Sequence, residues 1–448
     1  MDCRSPHPPR FCEPPSGSLM PKEKHPWFRR RGYLHFDTPV GLSSAESLVT
    51  NEDAVAKHSF YPLISYEVTS KKVYYCKDEE KLKRKDKPRP ICYAAHLDSH
   101  IYSYYTSQMS KQYENLIAEM EIAKSILAFR LLGKSNIDFA AEAFNCIREK
   151  GDCGVVGLDI SGFFNGLDHG YLKKAWCNLL GVKRLPADHF AIFKSLTKYA
   201  EVNREKLYST LGLNPDNRKN KQKNIFRVCS PKDFREKIRG GGLVKPNTDG
   251  EGIPQGTSIS AFLSNVYMIE FDRLMCVEIE TIGGTYLRYC DDMLFIVPIE
   301  NRDKIAELVV QNIKKIHLKI NTYKTEIRTF KVDANGILSS DKPLQYLGFT
   351  FDGQRILLRS ASLARYSDRM KRGVRFAKTN MRKRNQLRAK KGQDLQALYK
   401  KKLFSRYSHL GQRNFLTYGY RAAETMGSKA IRKQLKPLWG RLLQEIER

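Results

Sequence analysis

The chain has 448 residues, 78 of them Lys or Arg and 48 Asp or Glu, for a formal charge of +30 at pH 7. With 41% hydrophobic residues it can bury the cores of two to four domains, at roughly 100–200 residues each, which excludes a wholly disordered chain. No run approaches ~18 consecutive apolar residues and the N-terminus MDCRSPHPPRFCEPPSG lacks an apolar segment, so neither a membrane span nor a secretory leader is expected and the chain reads as cytoplasmic. The charge exceeds what solubility needs. A polyanion is the simplest partner for such a field, nucleic acid before an acidic membrane surface.

Residues 1–24 are rich in Pro, Ser and charge without hydrophobic period and read as a disordered tail, within which Met20 is an alternative start. Order is expected from HPWFRRRGYLHFD, where aromatic and basic residues interleave, either as a packed strand or as a surface that tracks a nucleic-acid backbone. SYEVTSKKVYYCKDEEKLKRKDKPRPICYAA reads as a hairpin of two β-rich runs joined by a charged segment. A helical block follows from about Ser99 to Arg148, then a short buried strand in GVVGLDISGFF, then helical period in LDHGYLKKAWCNLLG and PADHFAIFKSLTKYA. The polar, basic stretch from Asn203 to Gly250 predicts loops on a sheet edge. IPQGTSISAFLSNVYMIEFDRLM predicts a Pro/Gly turn feeding a long helix, and TYLRYCDDMLFIV two strands around a turn. Arg302 to Lys319 reads as helix, and LQYLGFTFDGQRILL as a hairpin turning at Asp352-Gly353. From Ala361 to Arg448 there are 24 Lys plus Arg against 5 Asp plus Glu, which is +19 of the total charge. Apolar residues there (Leu395, Leu398, Tyr399, Leu403, Phe415, Leu416) predict helices with a basic face suited to phosphate contact. The ten cysteines are scattered with no C-x-x-C pair, which predicts reduced thiols rather than zinc or disulfides.

The strongest chemical feature is Tyr289-Cys290-Asp291-Asp292, adjacent carboxylates flanked by apolar residues. Two anions there repel, and a divalent metal is the natural compensation, although an Asp-Asp turn taken alone reads as an ordinary Asx-type turn. Asp159 ends the apolar run GVVGLD, where a helix N-cap would account for it alone. Pointing out of a sheet edge and facing two acids on a neighbouring hairpin, it completes the three-carboxylate site that two Mg2+ ions need. Between the acids, Gly252, Pro254 and Gly256 shape a tight backbone approach before a helix. Gln255 would present its amide to a nucleotide, and Ser258, Ser260 and Ala261 would let a base pair lie close.

In this order, an acid after a strand, Pro-Gln-Gly before a helix, Tyr-x-Asp-Asp in a hairpin, then LKINTYKTEI and LQYLGFTFD resemble the motif series of reverse transcriptases over about residues 60–355. The resemblance implies an α+β right-hand polymerase fold with fingers, a palm built on an antiparallel sheet, and a helical thumb. Its boundaries would be 1–24 for the tail, 25–150 for the N-terminal segment and fingers, 151–355 for the palm with fingers insertions, and 356–448 for the basic thumb. It implies metal ligation by Asp159, Asp291, Asp292 and the Ile160 carbonyl, with two Mg2+ ions as cofactors. It makes Phe164 the aromatic gate against a ribose 2′-hydroxyl, Gln255 the residue under the incoming sugar, and Arg89 a triphosphate ligand. A companion fingers lysine falls among Lys83, Lys85 and Lys87, with Lys85 the choice. Lys324 would protonate pyrophosphate. Tyr346 and Gly348 resemble the primer-grip hairpin, and Arg382, Lys383 and Arg384 on the thumb would bind nucleic acid.

The residues after the palm are too few for a thumb plus an RNase H, maturase or endonuclease domain, which argues against retroviral and group II intron enzymes. Neither an NAxxH-like element nor a thumb VTG of the retron class is present. RRRGYLHFD, RPICYAAHLDSHIYSYY, GKSNIDFAAEAF and YCDD resemble the bacterial unknown-group, defence-associated enzymes, most closely class 2 defence-associated reverse transcriptases. That resemblance implies a structured non-coding RNA as dedicated template, dNTPs as substrates, concatemeric cDNA as product, and antiphage defence as the role. Alternatives from other classes are untemplated or protein-primed DNA synthesis, and a catalytically idle RNA-binding scaffold. The sequence leaves the oligomeric state open.

Overall fold

The computed structural model describes residues 25–76 and 81–448; the tail over 1–24, Met20 within it, and residues 77–80 of the charged segment lie outside the described residues. In chain order the elements are α1 (Leu42–Val49), α2 (Glu52–Ala56), β1 (Leu63–Glu67), β2 (Ser70–Cys76), β3 (Lys81–Lys87), β4 (Pro90–Tyr93), α3 (His96–Glu119), α4 (Asn136–Lys150), β5 (Cys153–Asp159), α5 (His169–Leu180), α6 (Ala187–Thr197), β6 (Ala200–Asn203), α7 (Arg204–Thr210), α8 (Asn217–Gln222), α9 (Pro231–Asp233) and β7 (Lys245–Pro246). There follow α10 (Ser260–Thr281), β8 (Thr285–Tyr289), β9 (Asp292–Val297), α11 (Arg302–Lys315), β10 (Glu326–Val332), β11 (Leu338–Ser340), β12 (Leu344–Tyr346), β13 (Phe349–Phe351), β14 (Ile356–Leu358), α12 (Ser360–Ala389), α13 (Lys401–Tyr407), α14 (Phe415–Thr425) and α15 (Lys429–Glu447). Among the described residues no helix is long and apolar enough to cross a membrane.

Cα packing divides the chain into two units, one of residues 1–111, 186–247 and 256–259, the other of 112–185, 248–255 and 260–448. The first holds a sheet in the order β4-β1-β6-β7 and the separate ribbon β2-β3. The charged run expected as a connector is itself strand β3, paired with β2 from Ser70↔Lys87 to Cys76↔Lys81. The stretch expected as loops over 203–250 contains the short helices α7, α8 and α9. Its apolar residues are few, but Leu207, Tyr208, Phe234 and Ile238 are buried with Phe36 and Ile64 in one cluster. Good caps start the helices: Asn203 accepts from two backbone amides of α7, Asp216 from one of α8, and Ser230 from one of α9.

The second unit is built on a sheet in the order β11-β10-β5-β9-β8, with a small sheet β12-β13-β14. Strand β5 is central rather than at an edge, which explains why CGVVGLD is almost continuously apolar. The expected helical block breaks into α3 and α4, the second started by a Ser135/Asp138 capping box. Residues 112–150 and 356–448 fall in this same unit. Phe144 on α4, Phe330 on β10, Phe349 and Phe351 on β13, and Leu435 and Leu442 on α15 share one buried cluster. Leu395 and Tyr399 are not helical; they lie in an irregular stretch between α12 and α13, at 66% and 68% exposure.

Candidate active site

Strands β5 and β9 run antiparallel in a register that sets Asp159 directly opposite Asp292. Strands β8 and β9 pair Tyr289 with Asp292, which leaves Cys290 and Asp291 as a two-residue turn with Cys290 at φ +59°. The Ile160 amide donates to the Asp291 carbonyl at 3.0 Å, tying the end of β5 to that turn. Asp159 and Asp292 are therefore register partners at one end of the sheet, with Asp291 in the adjoining turn.

Asp159 is buried at 6% exposure, and each of its oxygens has a neighbour. Lys324 Nζ donates to Oδ1 as an ion pair, and Asn321 Nδ2 to Oδ2 at 3.3 Å. The Asn321 amide holds the Asp159 carbonyl at 2.7 Å and the Ser161 amide the Lys319 carbonyl at 2.7 Å, a bridge that leaves the intervening Ile160 carbonyl out of its bonds. Burial, then the charges of Asp291 and Asp159, push the Asp292 carboxyl up to about 7, against the opposing pull of Lys324 and Arg359. Crowded carboxylates that resist ionisation are what a hard divalent cation relieves, and an all-oxygen donor set suits Mg2+. Among the described residues no three acidic, His or Cys side chains converge as a ready-made cage, and the cation paired with the Asp159 carboxylate is Lys324.

Phe163 and Phe164 follow Asp159 in a short 3-10 turn, and their exposures separate them: Phe163 is buried, whereas Phe164 is half-buried. The Ile253 amide donates to the Phe164 carbonyl at 2.9 Å and the Gly252 amide to the Leu167 carbonyl at 2.8 Å, so the Pro-Gln-Gly segment is strapped to the Phe164 turn. Gly252 sits at φ +87°, and a Cβ there would stand 3.0 Å from the Asn165 carbonyl oxygen. At Gly256, φ +114°, a Cβ would stand 2.6 Å from the Cys92 carbonyl oxygen. Gln255 between them is half-buried. Ser260 does not face outward as expected: its hydroxyl donates to the Pro254 carbonyl at 2.6 Å, bracing the turn from inside. Ser258 precedes the helix and donates to the Ser99 carbonyl at 3.2 Å.

Arg89 is exposed in the first unit, its backbone bonded both ways to Val68 at 2.9 and 3.1 Å. Lys85 lies on β3 opposite Lys72. Arg382, Lys383 and Arg384 are exposed on α12. Tyr346 departs from expectation, because its side chain is 5% exposed in the core cluster and its hydroxyl has no hydrogen-bond partner among the described residues. Gly348, two residues on, is exposed at φ +97°. Sequence reasoning also missed Asn321, Arg359 and the buried Arg288. Asn321 lies within NTYKTE and Arg359 caps α12, positions whose spacing alone carries no chemical signal.

Asp159 at the end of β5, Asp292 opposite it on β9 and Lys324 paired with Asp159 are charged groups gathered at this end of the sheet. Residues 81–351 match the reverse transcriptase (RNA-dependent DNA polymerase) family, and since they make up more than half of the chain, the chain belongs to that family. Its members have the α+β right-hand fold and use divalent metal ions. Among solved structures the chain is similar to apo telomerase from Candida tropicalis at 13% identity and TM-score 0.41, over 91% of this chain and 64% of that one. It is similar to the same protein truncated from its C-terminal domain at 12% identity and TM-score 0.39, over 72% and 61%. A telomerase from Candida albicans in complex with a TWJ fragment of telomeric RNA matches at 13% identity and TM-score 0.38, over 90% and 61%. The chain thus spans about three fifths of the length of these telomerase chains. Among curated proteins no sequence matches.

Proposed function

We propose that the chain is an RNA-directed DNA polymerase that copies a bound, dedicated non-coding RNA into concatemeric cDNA as part of a bacterial antiphage defence system. The observation that carries the polymerase reading is the register of Asp159 against Asp292 with Asp291 at the adjoining turn. The defence role is supported by the likeness of RRRGYLHFD, RPICYAAHLDSHIYSYY, GKSNIDFAAEAF and YCDD to class 2 defence-associated enzymes.

In this reading Asp159, Asp291, Asp292 and the Ile160 carbonyl would hold two Mg2+ ions, which when bound lower the pKa of an attacking 3′-hydroxyl and offset charge on the leaving pyrophosphate. The remaining work falls to the chain's own groups. Phe164 fills the space of a 2′-hydroxyl and so selects dNTPs. Gln255, strapped beside it, supports the incoming sugar. Arg89 and Lys85 take the triphosphate, and Lys324 donates a proton from Nζ to the leaving pyrophosphate. Gly348 and the basic face of α12 hold the template-primer backbone. The test is primer extension by purified protein on an RNA template with dNTPs and Mg2+. Template-complementary DNA, absent with Asp291→Ala, is the expected product; no incorporation, or incorporation indifferent to template sequence, contradicts it.

A further inference from the structure

Two residues before Cys290, the Arg288 side chain is wholly buried at 0% exposure. Its guanidinium meets the Asp272 carboxylate on α10 at 2.7 Å from Nε and 2.5 Å from Nη2. From Nη1 it donates to Asn265 Oδ1 at 3.1 Å and to the Cys290 carbonyl at 3.2 Å. Asp272, also 0% exposed, accepts in addition from the Tyr286 hydroxyl at 2.8 Å. Asn265 is 0% exposed too, and its amide donates to the Ala128 carbonyl at 2.9 Å.

A core ion pair of this kind is a poor source of stability, because desolvating both charges offsets their attraction and apolar side chains of equal volume serve as well. It is a good means of fixing one geometry. The geometry concerned is Cys290, whose left-handed φ of +59° is unfavourable for a non-glycine residue and persists where neighbours over-determine it. The carbonyl that Arg288 grips belongs to the peptide joining Cys290 to Asp291. Rotation of that peptide would swing the Asp291 carboxylate and loosen the pairing of Asp292 with Tyr289.

We infer that Arg288 is a positioning residue: the buried Asp272–Arg288–Asn265 cluster locks the Cys290 peptide in its left-handed conformation and so fixes where the Asp291 and Asp292 carboxylates stand to receive a divalent cation. The consequence for rate rests on the polymerase reading, whereas the consequence for cation binding does not. Arg288→Lys keeps a charge opposite Asp272, but the three N–H groups of one ammonium cannot reproduce the four hydrogen bonds that the planar guanidinium makes from three nitrogens.

The experiment measures Mn2+ binding to the full chain by electron paramagnetic resonance, together with primer extension. Arg288→Lys is expected to weaken Mn2+ binding about tenfold, to raise the Mg2+ concentration for half-maximal rate several-fold, and to lower kcat with the dNTP KM within twofold. Leu442→Ala, a truncation in the thumb core, supplies a destabilised comparison that lowers Tm without moving Mn2+ affinity. Cys290→Gly, which adopts the left-handed conformation freely, is expected to restore Mn2+ affinity in the Arg288→Lys background. If Arg288→Lys does not fold, Asn265→Ala takes its place, with a smaller shift in the same direction. Unchanged Mn2+ affinity in the folded variant, or a loss that tracks Tm as in Leu442→Ala, overturns the inference. A wild type that binds Mn2+ but makes no DNA overturns the polymerase reading and leaves the positioning role standing.

Discussion

Replacing Asp292 by Asn in metal-free protein should stabilise the fold, and more so as pH rises. The Asp292 carboxyl is held at about 7, against an ordinary 3.8, by burial and by Asp291 and Asp159. An unfolded chain ionises this group near 3.8 while the folded one keeps its proton to about 7, so between those values the folded state holds the extra proton and stability falls as pH climbs. Some three pH units at ~1.4 kcal/mol each set a ceiling of about 4 kcal/mol. Asp292 is only half-buried, and solvent screening reduces the gain to about 1–3 kcal/mol. Urea unfolding in EDTA at pH 4, 5, 6, 7 and 8 should show Asp292→Asn matching the parent at pH 4 and exceeding it by that amount at pH 8. Mg2+ should close the gap at pH 8 by stabilising the parent. An Asn variant no more stable than the parent at pH 8, or with the same advantage at every pH, refutes carboxylate crowding as the property of this site.

Phe164→Ala should raise ribonucleotide incorporation about tenfold or more in single-nucleotide extension, and unchanged discrimination would place the gate elsewhere. Arg89→Ala should raise the dNTP KM with kcat little changed, and an unaltered KM would remove Arg89 from triphosphate binding. Neutralising Arg382, Lys383 and Arg384 together should weaken RNA binding and flatten its salt dependence, by about 0.7–0.9 in log–log slope for each phosphate that is no longer neutralised. An unchanged slope would make that run of α12 a solvated face.

The parts of this site that lie in short contiguous segments are readable from sequence. GVVGLD, IPQG and YCDD each carry a local pattern, an apolar run ended by an acid, paired breakers, or adjacent acids, and the sheet register then sets Asp159 opposite Asp292 as that order implies. Features that depend on tertiary partners are not readable. Nothing local distinguishes Tyr346 on the surface from Tyr346 in the core, because the cluster it joins is assembled from residues distant in sequence, Ile137, Phe330 and Leu435 among them. Arg288 and Asp272 are 16 residues apart and look like two solvated charges until α10 packs on β8. The polar stretch 203–250 hides its helices for a related reason: a few scattered apolar residues, Leu207 and Ile238 among them, reach the core cluster with Phe36 and Ile64, and capping by Asn203, Asp216 and Ser230 does the rest.

Copying of one dedicated RNA is tested by sequencing the RNA and DNA that co-purify with the protein expressed from its native locus, beside the Asp291→Ala, Asp292→Ala double mutant. The predicted result is one discrete RNA in both samples, with complementary, repeated DNA in the wild type alone. Heterogeneous RNA with homopolymeric DNA or none, or the same DNA from the double mutant, would contradict it.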